Sequence, residues 1–152
     1  MLPVPKKFFV TAVSAEGKSR LNAFDNALLA ARIGNVNLLR VSSILPTGAE
    51  YDPDLQFPAG ALVPTAYGSI TSDVQGELIA AAVGVAVDPA GFGVIMEYSG
   101  KCSRDEAYRA VEEMLAEAFA KRGLSIKDKK IKAVEHRVDK VGCCLAAVPL
   151  WY

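Results

Sequence analysis

The chain has 152 residues, 51% of them hydrophobic and 22% charged, a proportion that fits one globular domain and leaves little room for a second. Seventeen Lys and Arg balance 17 Asp and Glu, so there is no electrostatic footprint for a phosphate backbone or an anionic lipid, and neither nucleic acid nor a membrane is expected as a partner. Met1 to Val10 contain no apolar core of signal-peptide length and no apolar run reaches spanning length, while Cys102, Cys143 and Cys144 lack metal-ligand spacing. A reducing cytoplasm is the expected location. The single histidine, His136, excludes paired-histidine zinc sites.

In chain order, strands are expected over Lys7–Val13, Val36–Leu45, Ala61–Ile70, Leu78–Val87, Gly91–Tyr98, Lys130–Val138 and Cys143–Trp151, each bounded by turn-forming residues. Leu78–Val87 is small and apolar on both faces, as a strand covered on both sides must be. His136 falls on the polar side of its strand, where solvent is the expected surrounding. A first helix is expected from Ala23 to Ile33, with Asn22 and Asp25 as start signals and Gly34 at its end. A second runs from Arg104 to Arg122, where Ala107, Val111, Met114, Leu115, Ala118 and Phe119 form one apolar stripe, Ser103 and Glu106 a capping box, and Gly123 the stop. Strands clustered between two separated helices argue for a single α+β layered sandwich rather than a doubly wound parallel sheet.

The most informative stretch is Gly34-Asn35-Val36-Asn37-Leu38-Leu39-Arg40-Val41-Ser42-Ser43-Ile44-Leu45-Pro46, where a serine pair interrupts an apolar strand just before a proline. Such hydroxyls usually satisfy nearby backbone groups. The chemical alternative is autocatalytic cleavage: the Ser43 hydroxyl attacks the carbonyl of Ser42, the resulting ester eliminates, and the dehydroalanine left at residue 43 hydrolyses to a pyruvoyl group and ammonia. Amide attack needs hydrogen-bond donors aimed at the developing oxyanion, and the side-chain amide of Asn37 is a candidate; its bland role is to serve the turn after Gly34.

These residues, with Asn22-Ala23-Phe24-Asp25, Ala66-Tyr67-Gly68, Ile95-Met96-Glu97-Tyr98-Ser99 and the ending Leu145-Ala146-Ala147-Val148-Pro149-Leu150-Trp151, occur in family order along nearly the whole chain, which resembles the pyruvoyl-dependent arginine decarboxylases. The resemblance implies one decarboxylase domain, residues 1–152, cut into a β chain of 1–42 and an α chain of 43–152 that begins with the covalent pyruvoyl cofactor derived from Ser43. It implies a four-layer αββα sandwich, assembled as homotrimers or paired trimers with active sites where subunits meet. It further implies conversion of L-arginine to agmatine and carbon dioxide through a Schiff base, an entry to polyamine synthesis.

Protonation of the substrate α-carbon calls for an acid near the ketone. Glu97 shares a strand face with Ile95, so its carboxyl is expected in an apolar setting that favours the protonated form, and the resemblance marks it as the general acid; Tyr98 projects to the opposite face. The resemblance assigns Asp25 to the substrate guanidinium, which a carboxylate can grip through two parallel hydrogen bonds, while its simpler role is to meet the positive end of a helix dipole. Tyr67 reads as a strand-end aromatic, and Cys143 and Cys144 as packing residues on opposite faces of one strand. Two alternatives stay open from the residues themselves: the same chemistry on another amino acid, and an uncut binding or assembly protein of this fold.

Overall fold

The computed structural model describes all of residues 1–152 as two helices and two β-sheets. The elements are β1 (Lys7–Phe8), β2 (Thr11–Glu16), α1 (Arg20–Ala30), β3 (Asn37–Arg40), β4 (Ile44–Leu45), β5 (Glu50–Tyr51), β6 (Leu62–Ser72), β7 (Leu78–Val87), β8 (Gly93–Gly100), α2 (Arg104–Lys121), β9 (Asp128–Arg137) and β10 (Gly142–Trp151). The six-stranded sheet runs β3-β6-β10-β1-β5, with β2 also paired to β10, and the four-stranded sheet runs β4-β8-β7-β9.

Strand alternation decides what each layer meets. On β10, Cys143, Leu145 and Ala147 face α1, whose Ala23 and Ala27, with Ala31 at the C-cap, recur at helical spacing. Cys144, Ala146, Val148 and Leu150 turn the other way and meet Ile79, Ala81, Val83 and Val85 of β7 between the sheets. The opposite face of β7, Ala80, Ala82 and Ala86, lies under Ala107, Val111, Leu115, Ala118 and Phe119 of α2. The order is therefore helix, sheet, sheet, helix, the layered α+β sandwich that the pattern predicts, and the two cysteines do face opposite ways. Gly84 keeps β7 close to α2, since a methyl group there would lie 2.8 Å from Val111 and 2.9 Å from Leu115 and Ile131.

β7 and α2 fall where expected, and α2 carries the complete Ser103–Glu106 capping box, with Gly123 at a φ of 65° just beyond its end. Other boundaries differ. The first expected strand is broken between β1 and β2, which join different stretches of β10. Helix α1 starts three residues earlier than expected because Ser19 is its N-cap, accepting from the N–H of Asn22. Asp25 is consequently in the second turn, away from the helix dipole's positive end. The expected strand Val36–Leu45 is two strands in two sheets, and Tyr67 lies within β6 rather than at its end.

His136 is half-buried instead of solvated. Its Nε2 is 2.6 Å from Glu16 Oε2, and Glu16 also accepts from the backbone N–H groups of Asp139, Lys140 and Val141, tying β2 of one sheet to the β9 end of the other. Burial opposes ionisation of Glu16, but the Lys140 N–H, His136 and the Asp139 N–H outweigh it and hold the carboxyl below its ordinary value of 4.5. A carboxyl depressed on folding stabilises the fold above its unfolded pKa and loses that contribution as pH falls through the folded one. Denaturation midpoints should thus fall on acidification from about 4.5 downward, and Glu16→Gln should be less stable at neutral pH with part of this acid dependence removed; an unchanged profile would show that the clasp contributes nothing.

Candidate active site

The chain changes sheets across Val41-Ser42-Ser43. β3 is the edge strand of the six-stranded sheet, parallel to β6, and its pairing ends with the Val41 N–H donating to Thr65 O at 3.2 Å. Three residues later the chain pairs with β8: the Ile95 N–H donates to Ser43 O at 2.8 Å, and Ile44 lies opposite Val94. Between these anchors the Ile44 N–H donates to Ser42 O at 2.7 Å, closing a tight turn around Ser43. The donor on the Ser42 carbonyl is thus a backbone group of the next strand. Asn37, six positions before Ser43, is exposed at the start of β3, where its Nδ2 donates to Gly60 O at 3.2 Å.

The register places Ser43 opposite Ile95, and Glu97 lies two residues further along β8. Ile95 faces the core between the sheets, and strand alternation directs Glu97 the same way while Met96 and Tyr98 pack on the α2 side. The Glu97 side chain lies over Gly68 of β6, where an added methyl group would be 3.1 Å from its Cγ. Its Oε2 is the one buried side-chain oxygen or nitrogen in the chain without a hydrogen-bond partner. Burial pushes the carboxyl above its ordinary pKa, and the nearby Arg40 cation opposes that shift in part.

Arg40 is the neighbour that sequence reasoning missed. Its Nη2 donates to Tyr67 O at 2.6 Å, its Cζ lies 4.4 Å from the Tyr67 ring centroid, and the same Nη2 is 4.0 Å from Glu97 Oε1. Tyr67 is itself backed by Phe24 of α1, with ring centroids 6.4 Å apart. Nothing local in the sequence signals this cluster, because β3, β6 and β8 come together only through the sheet crossing. Asp25, next to Phe24, is exposed on α1. The largest cavity, about 320 Å3, lies elsewhere, between the end of α1 and the Leu55–Phe57 segment, and none of Ser43, Glu97 and Asp25 lines it.

The site thus joins a serine–serine peptide bond whose carbonyl already accepts a hydrogen bond to a half-buried carboxyl that burial shifts toward its neutral form, in a layered α+β domain. The family model for pyruvoyl-dependent arginine decarboxylase matches residues 7–152. The pyruvoyl-dependent arginine decarboxylase of Methanocaldococcus jannaschii is 53% identical over 151 residues, covering 98% of this chain and 92% of that protein. Those of Thermococcus sibiricus and Pyrococcus furiosus are 45% and 44% identical, covering 95% and 97% of this chain and 94% and 96% of their own lengths. The chain belongs to the pyruvoyl-dependent arginine decarboxylase family.

A carboxyl raised on folding penalises the folded state once it ionises, so the penalty grows as pH rises from the unfolded value through the folded one. Glu97→Gln should therefore be more stable than the parent at neutral pH, and the gain should shrink below about 4.5. Denaturant midpoints across that range check this; a variant less stable at every pH would mean that the carboxylate is not strained by burial.

Proposed function

We propose that the chain cuts itself between Ser42 and Ser43, leaving residues 1–42 and 43–152 associated, and decarboxylates L-arginine to agmatine with Glu97 as the proton donor. The observation that carries this reading is the buried, unpartnered carboxyl oxygen of Glu97, two register positions from the serine pair on the adjoining strand. Family membership supports the pyruvoyl group at residue 43, and a small uncharged ketone there suits a site whose nearest acid is shifted by burial toward its neutral form.

For the cut, the Ser43 Oγ attacks the Ser42 carbonyl carbon, its proton passes to the nitrogen of residue 43, and the carbon–nitrogen bond breaks to leave an ester. The Ile44 N–H already donates to the oxygen that becomes negative, which lowers the cost of that charge. Loss of the residue 43 α-proton then breaks the bond from its Cβ to the ester oxygen, releasing the Ser42 carboxylate and a dehydroalanine; addition of water and departure of ammonia leave the ketone. Asn37 is the second donor in this scheme, which requires its amide to leave Gly60 O or to come from a neighbouring copy.

The pyruvoyl group, once formed, supplies the electron sink for the pair released when carbon dioxide leaves. Glu97 then delivers its proton to the substrate α-carbon and is recharged from solvent. Asp25 accepts the substrate guanidinium through paired hydrogen bonds. Leu39, Ile44 and Leu62 are large apolar side chains left exposed on the strands that flank the crossing, which supports burial against further copies of the chain, and the homotrimer or pair of trimers is the assembly that the family resemblance implies. No helix is long and apolar enough to cross a membrane, and the three free cysteines suit the cytoplasm.

Ser43→Ala should remain a single uncut chain without arginine decarboxylation; normal carbon dioxide release from that uncut variant would overturn the cofactor assignment. Glu97→Gln should be cut as the parent is, yet turn over arginine roughly 100-fold or more slowly, as expected when a positioned proton donor is lost. Full activity would remove Glu97 from its role, and a panel of amino acids assayed with the parent tests the choice of arginine.

A further inference from the structure

The Arg40 side chain is 58% exposed, yet its guanidinium is held by specific contacts. Its guanidinium stacks on the Tyr67 ring at 4.4 Å, and one nitrogen, Nη2, both donates to the Tyr67 carbonyl oxygen at 2.6 Å and comes within 4.0 Å of Glu97 Oε1. Stacking on an aromatic ring uses the planar, weakly hydrated character of guanidinium, so the charge is placed and not merely nearby. At 4.0 Å the contact with Glu97 is too long for a strong hydrogen bond, which leaves the carboxyl free to carry its proton while it still feels the positive field. The other groups packed around Glu97 add no charge: Val83 is its register partner on β7, Gly68 underlies it from β6, and Ile95 precedes it on the shared face of β8. Tyr98 points to the α2 layer.

We propose that Arg40 is a positioning residue which, locked on Tyr67, keeps a single positive charge beside Glu97 and so sets how readily that carboxyl gives up its proton. The proposal rests on the reading of Glu97 as the proton donor. Without the charge the acid would hold its proton to higher pH and donate it less readily; with the charge in direct contact it would be locked as the ion. Arg40 is also two residues before the proposed cut, and Tyr67 belongs to the longer segment, so the same clamp holds the end of one proposed product against the other.

Two readouts test this separately. The first is the titration of the Glu97 carboxyl, followed by carbon-13 NMR of glutamate-labelled protein carrying Ser43→Ala, in which neither cleavage nor turnover is needed. Replacing Arg40 with Gln in that background should move the Glu97 titration to higher pH, and Arg40→Lys should recover part of the difference because charge returns without the planar stack. Tyr67→Leu should move it in the same direction as Arg40→Gln, by less. An unmoved titration in Arg40→Gln overturns the proposal, whether or not the chain is an enzyme.

The second is the pH profile of kcat for arginine in the processed single variants, with processing quantified by intact mass. Arg40→Gln should shift the basic limb upward and lower the plateau by roughly three- to tenfold, a modest part of what positioned proton transfer supplies, with Arg40→Lys between it and the parent. A shifted titration with an unmoved basic limb would overturn the part assigned to Arg40 in turnover by showing that Glu97 is not the group whose proton limits it. Loss of kcat with both the titration and the limb unchanged would mean that Arg40 acts only in packing, which also overturns the proposal.

Discussion

The passage of the backbone from one sheet to the other, completed in the three residues Val41, Ser42 and Ser43, constrains everything around it. A strand leaving an edge must give up its ladder, and here the loss is made good within a few bonds: Val41 to Thr65 on one side, Ser43 to Ile95 on the other, and Ile44 to Ser42 in between. The result is a peptide bond held at both ends by different sheets, with its carbonyl oxygen already accepting a hydrogen bond. Close to this crossing, Glu97 of β8 lies over Gly68 of β6, between the two sheets.

Glu97 is the residue for which this geometry is costly. Elsewhere buried polar side chains find partners: Thr65 donates to Val63 O, and Asp88 accepts from the N–H groups of Ala90 and Phe92. Glu97 alone keeps a buried oxygen without one. Burial favours its neutral form while Arg40 draws it toward the ion, and an acid held between two such opposing influences is suited to giving and regaining a proton.

Much of the architecture was legible because strong periodicity has one physical outcome. β7 is apolar on both faces and lies between two layers; α2 has a continuous stripe, a capping box and a glycine stop, and it begins where they say. The single strand expected over Val36–Leu45 shows what pattern leaves open. Apolar alternation reports burial without naming the sheet, so a strand that changes sheets in mid-run looks unbroken until its partners are known. The start of α1 was displaced because Ser19, Asn22 and Asp25 are all cap-type residues, and only the backbone tells which one caps. His136 was set on the wet face by alternation, yet that face meets Glu16 arriving from the other sheet.

The site was legible unevenly. The serine pair and Glu97 could be picked out as candidates from the residues, a serine pair interrupting an apolar strand and a carboxyl sharing a strand face with Ile95, but only the resemblance to the family gave them weight over their ordinary structural roles. The substrate role of Asp25 came from resemblance to the family and the donor role of Asn37 from the chemistry that amide attack needs, and in the structure both are surface residues, one on α1 and one at the start of β3. Arg40 carried no local signal at all, because its ring partner and its carboxylate neighbour are contributed by distant strands. The account as a whole is tested most directly by the intact mass of freshly purified protein, measured with and without a reagent that traps ketones. Two species that meet between Ser42 and Ser43, the longer one blocked at its amino terminus and gaining the trap's mass, are the predicted result. One continuous chain that gains nothing would contradict the account at its centre.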